Sequence, residues 1–228
     1  MPNRFSIFLV AASLAAATPA FSGEMQDFEK NLRDVYGSYR VALFATNSGK
    51  RDASAKAVEG FLTGWTVLSA QAVPPQYADD PHFIDVMEKV AAIAEASQAK
   101  ISENKLGEAH EVLEGIRDEI SALHLRNGIS SFSDRMNAYH AQMETVIGLA
   151  ASDAGTVREE AAILAYLFDD LHKRPPADMG PDFEELLAAV AASIKALRTA
   201  ALTGDETQIR TAIGQLKAPY SKLFVKYG

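Results

Sequence analysis

Apolar positions recur at three- and four-residue spacing along almost the whole chain. Phe28, Leu32, Val35, Tyr39 and Ala42 mark one face of a helix, the stripe that a 3.6-residue period buries. Blocks such as AAIAEASQAK and ELLAAVAASIKAL are rich in alanine and leucine and poor in β-branched residues, so helix propensity agrees with the period. Breakers fall at Asn47-Ser48-Gly49, Pro74 to Pro81, Asn104 to Gly107, Asn127-Gly128, Asp153-Ala154-Gly155, Pro175 to Pro181 and Gly204-Asp205. These stops predict an all-α chain of eight helices. Pro219 lies inside the eighth, where a missing amide donor and a ring clash predict a kink.

The pattern also repeats. FEKNLRDVYGSYRVALF from Phe28 runs beside FSDRMNAYHAQMETVIG from Phe132. Pro74-Pro75 with Pro81-His82-Phe83 matches Pro175-Pro176 with Pro181-Asp182-Phe183, and the two stretches close at Gly128 and Gly228. The offset falls from 104 to 100 residues, the loss lying around loops, where deletions are tolerated. Trp65 aligns loosely with Tyr166. The expectation is two tandem up-down four-helix bundles, 23–128 and 129–228, following an N-terminal signal at 1–22.

Each copy, with its double-proline loop, its Pro-x-Phe entry to the third helix and a short polar turn before the fourth, resembles the soluble four-helix cytochromes of the c-prime and soluble b type. The resemblance implies an axial histidine late in the fourth helix, matched by His124, and in some members a methionine on the first helix. The family's Cys-x-x-Cys-His attachment would fall on Ile120 to His124 and on Tyr220 to Phe224, but the chain has no cysteine. Covalent haem is therefore not expected. The first copy has Leu32 at the methionine place, and the second has Met136 there but Phe224 in place of the histidine. What the resemblance leaves is non-covalent haem on His124 alone.

Composition narrows the setting. Arg4, an apolar run from Phe5 to Ala17 and small residues at Ala20 and Ser22 read as an export signal cleaved near Gly23, which points to the periplasm and to a soluble product without membrane insertion. Lys and Arg number 22 against 30 Asp and Glu, a net charge of −8, with no basic stripe. Nucleic acid is not an expected partner.

Candidate chemistry gathers between His110 and Glu144. Comparing the copies, His140 stands at the place of Tyr36, Met136 at Leu32, Met143 at Tyr39, Glu144 at Arg40, His110 at Arg210 and Glu114 at Gly214. Met136, His140, Met143 and Glu144 share one helical face, and His110 and Glu114 are an i, i+4 pair on the helix before. Gly128 is placed to end that helix, and Ser131 with Asp134 forms a capping box for the next. If the chain reverses at Gly128, Arg117 faces His140, and Glu114 faces Met143 and Glu144. Histidine and glutamate from adjacent helices suit zinc or iron, and methionine would favour copper. The plainer expectation is that both methionines fill the core and that Glu114 and Glu144 pair with Arg117. His82 and His172 read as surface residues, and Trp65, Phe61 and Tyr36 as core aromatics. Tyr220, Phe224 and Tyr227 form a stripe read as packing of the last helix. No Ser-His-Asp set or phosphate-binding glycine loop is present, so no catalysis is expected. The two function classes are a metal-ion-binding protein and a cofactor-free adaptor for another envelope protein.

Overall fold

The structure, a computed structural model, describes residues 21–228. All but the last two residues of the expected export signal lie outside the described residues. Nine α-helices and no strand occupy the described part: α1 Phe21–Asn47, α2 Arg51–Ser69, α3 Phe83–Ser102, α4 Leu106–Arg126, α5 Phe132–Ile147, α6 Ala154–Lys173, α7 Phe183–Thr203, α8 Glu206–Gly214 and α9 Lys217–Tyr227, with one 3-10 turn at Pro75–Tyr77. The fold is all-α. The predicted face of α1 turns inward: Phe28, Leu32, Tyr39 and Ala42 are in the core, Val35 is only partly buried against it, and the neighbouring Tyr36 is buried instead.

The ninth helix comes from the expected kink. The last segment breaks at Gln215 and Leu216, where the backbone tightens into Gln215 N–H to Ala212 O and Leu216 N–H to Ile213 O bonds. Pro219 then sits in the first turn of α9. Amides there have no intrahelical acceptor, so proline's missing donor costs nothing.

α1 lies against α2 and α4, and α3 against the same two; α6 lies against α5 and α7, and α7 against α8 and α9. α5 meets α8 and α9, while α1 reaches across to α9. One continuous apolar core runs through both sets. Phe28 and Phe83 meet with ring centroids 6.0 Å apart, and Phe132 meets Phe183 at 5.8 Å. Asn104 and Gly204 take the same left-handed turn, φ 60° and 70°. The two stretches share this local correspondence. Trp65 and Tyr166 depart from it, since Trp65 is buried and donates to Met87 O at 2.9 Å, whereas Tyr166 is 72% exposed.

α7 has the length and hydropathy of a membrane span, mean hydropathy 1.4, although the sequence is read above as a product without membrane insertion. Its Phe183, Leu187, Val190, Ile194 and Leu197 are buried in the core, and alanine supplies much of the rest.

The connection from α4 to α5 sets the geometry of both polar sites. Gly128 has φ 68°. Ile129 N–H bonds to His124 O at 2.9 Å and Gly128 N–H to Leu125 O at 3.3 Å, a Schellman closure. Ser131 and Asp134 then complete the expected capping box.

Candidate functional site

α4 and α5 are tied by long side chains. Arg117 reaches His140, Asn137 reaches Ser121, and Ser121 and His124 both reach Asp134. Two polar sites result, one buried at the turn and one open farther along the helices.

At the turn, His124 is buried. Its Nδ1 lies 2.8 Å from Asp134 Oδ2, and its Nε2 faces Glu29 Oε2 of α1 at 3.5 Å. Tyr77 Oη donates to Glu29 at 2.7 Å and Gln76 Nε2 at 3.1 Å; Ser131 Oγ and Ser121 Oγ donate to Asp134. Burial by itself would push the imidazole down, but Asp134 and Glu29 outweigh it and raise His124 to about 9. At neutral pH the ring is a cation with both N–H groups turned to carboxylates. It offers no lone pair to iron. The void beside it holds about 20 Å³, room for a water and not for a porphyrin. In this arrangement His124 has a structural role, a charged rivet joining α1, α4 and α5.

The open site is a pocket of about 490 Å³ lined by α1, α4, α5 and α9. His110, Glu114, Arg117, His140 and Glu144 all line it, as the reversal at Gly128 predicts, together with Phe44 and Asn47 from α1 and Lys217, Tyr220, Ser221 and Phe224 from α9. The polar groups form a chain. His110 Nδ1 lies 3.1 Å from Thr46 Oγ1 and 3.2 Å from Leu43 O. Its Nε2 faces Glu114 Oε1 at 3.7 Å, and Arg117 Nη2 holds the same oxygen at 3.2 Å. Arg117 Nη1 lies 3.1 Å from His140 Nδ1. Beyond it, His140 Nε2 and Lys217 Nζ face Glu144 Oε1 at 3.5 and 3.3 Å.

A guanidinium can only donate, so Arg117 fixes Nδ1 of His140 as acceptor and puts the ring proton on Nε2. Burial, then the Arg117 charge, hold this imidazole below its ordinary range. Tyr220 stacks on His140, centroids 5.3 Å apart, and on Phe224 at 5.7 Å. Its hydroxyl is pushed well above the ordinary phenol range by burial and stays neutral.

Met136 and Met143 take the core-facing edge of the face of α5 that they share with His140 and Glu144. Both are fully buried in the core and absent from the pocket wall. Among the described residues no three His, Asp or Glu side chains converge as a metal set, because Arg117 stands between the two His–Glu pairs. His82 and His172 lie at helix ends, as expected.

The wall from α9 is what sequence reasoning missed. Its signal is present: Lys217, Tyr220, Ser221 and Phe224 follow i, i+3, i+4 and i+7 after the break before Pro219.

No family model, curated protein or solved structure matches this chain. The fold and site define an all-α protein with an interhelical pocket where its two halves meet.

Proposed function

We propose that this is an exported small-molecule-binding protein whose ligand sits in the pocket between α1, α4, α5 and α9. The carrying observation is that pocket's size together with its lining. About 490 Å³ falls within the roughly 300–1,000 Å³ of organic-ligand sites and is far more than an ion needs. Directional polar groups along one wall and the Tyr220–Phe224 face on another are the usual mixture for orienting an organic molecule. No catalysis is assigned, since Nδ1 of His140 is taken by Arg117.

Ligand discovery by native mass spectrometry and thermal shift, on the wild type and on Ala141→Trp, tests this. Ala141 lines the pocket and is exposed, so an indole there fills the space without entering the core. Ligands that stabilise the wild type and are lost in the plugged variant support the reading. Binding that survives the plug, or no binding at all, overturns it.

One observation favours the metal reading at the same place. His110 Nε2 faces the Glu114 carboxylate 3.7 Å away, while Nδ1 of the same ring lies 3.2 Å from Leu43 O. Zinc or iron would sit there with two protein ligands, and Arg117 would have to leave Glu114. Zinc titration of wild type against His110→Ala separates the readings, because a small-molecule site does not depend on zinc.

A further inference from the structure

If the pocket between α1, α4, α5 and α9 holds a small molecule, as proposed, its charges narrow the class of ligand. Arg117 and Lys217 stand against Glu114 and Glu144, two cations against two carboxylates, so the fixed charges cancel. The two pairs differ in how firmly they are held. Arg117 and Glu114 are 18% and 34% exposed and 3.2 Å apart, with Arg117 also bound to His140. Lys217 and Glu144 are 51% and 40% exposed at 3.3 Å. That contact lacks hydrogen-bond geometry, and Glu144 Oε1 is a buried acceptor left without a donor.

The outer pair is therefore the part of the wall that can open. An exposed lysine gives up such a contact at little cost, whereas the buried acceptor gains from any donor that meets it squarely. A lone cation entering would take Glu144 and leave Lys217 without its partner. A lone anion would take Lys217 and leave Glu144 facing it. A molecule carrying both charges exchanges one ion pair for two and leaves no charge uncompensated. Beside this pair, Tyr220 and Phe224 form an aromatic wall, and Phe44, 43% exposed with Lys50 Nζ 5.5 Å from its ring centroid, stands at the pocket lining. That face suits an apolar or aromatic body attached to the charged head.

We infer that the ligand is a small zwitterion of amino-acid type, its ammonium on Glu144, its carboxylate on Lys217, and its apolar side chain against Tyr220, Phe224 and Phe44. Calorimetric titration with L-phenylalanine, phenethylamine and 3-phenylpropionate tests the inference, since the last two each keep the ring and one charge. Wild type should bind phenylalanine at least tenfold more tightly than either. Lys217→Gln should move the preference toward phenethylamine, and Glu144→Gln toward 3-phenylpropionate, changes that a partly unfolded variant would not produce in opposite directions. The inference falls if a singly charged compound equals phenylalanine on the wild type, or if neither substitution moves the preference. It also falls alone, with the small-molecule reading intact, if none of the three binds while other compounds bind and are lost in Ala141→Trp. Failure of every compound overturns both.

Discussion

Nδ1 of His124 lies 2.8 Å from Oδ2 of Asp134, across the turn that joins α4 to α5. The same ring faces Glu29 of α1. The contact spans only ten residues of sequence, yet it secures three helices and the angle at which α5 leaves the turn. The pocket lined by His110, Arg117 and His140 depends on that angle.

This rivet makes stability depend on pH in a definite direction. His124 titrates at about 9 in the folded protein against 6.5 ordinarily. Its contribution is complete below pH 6.5 and is lost as pH rises through 9. A difference of that size corresponds to about 3 kcal/mol, roughly 6–12 °C in a domain of this length. Glu29 and Asp134 are held below their ordinary values, since His124 outweighs the opposing effect of burial, so their share is lost toward acid. The melting temperature should fall between pH 6.5 and 9.5 in the wild type and be flat over that range in His124→Gln. A wild type whose melting point ignores that interval would show that the charged histidine does not secure the three helices.

Gly128 and Gly107 offer a matched pair. At Gly128, φ is 68°, and Gly107 lies in the first turn of α4 with open space around its Cα. An alanine is strained in the first position and favoured in the second. Gly128→Ala should cost about 1 kcal/mol and Gly107→Ala should be neutral or stabilise by about 0.5 kcal/mol, both read from urea midpoints. Equal effects would show that the backbone at Gly128 is not what requires glycine.

Much of this was readable from residues, and the reasons are physical. Helix stops worked where glycine, asparagine and proline act through their own backbone, as at Asn104, Gly128 and Gly204. The convergence of His110, Glu114, Arg117, His140 and Glu144 followed from one turn and a 3.6-residue period. The division of labour within α5 did not. Met136 and Met143 share a broad face with His140 and Glu144, and spacing alone does not tell which edge of that face meets the core. Lys217 and Tyr220 were hidden for a different reason. Their approach depends on the break at Gln215–Leu216, and proline marks a bend without fixing where the chain yields. His124 was assigned by its place in the copy, and its carboxylate partners on α1 and α5 are tertiary neighbours that no local pattern announces.

Met143 separates packing from copper binding. The side chain is fully buried, so Met143→Ala should cost about 2–5 kcal/mol, whereas Met143→Leu, close in volume, should cost less than about 1.5 kcal/mol. Copper(I) titration of Met143→Leu should match the wild type. A tenfold loss of copper affinity in that folded variant would restore the thioether as a ligand.

Arg117 is the residue on which the pocket's polar chain turns. It holds Glu114, and its donation fixes the tautomer of His140. Burial is the larger reason that His140 titrates low, and the guanidinium charge is the second, while Glu144 and Glu114 act the other way. Replacing Arg117 by methionine keeps most of the buried stem and removes the charge. The His140 imidazole should then titrate at higher pH, because two carboxylates remain and the cation beside Nδ1 is gone. Its Nδ1 is also freed from accepting, so both tautomers become accessible. NMR titration of the ring protons reads both changes, with His124 as an internal control that lies in the separate cluster at the turn. An unmoved His140 in Arg117→Met would mean that the guanidinium neither faces the ring in solution nor sets its proton, and the chain from His110 to Lys217 would lose its centre.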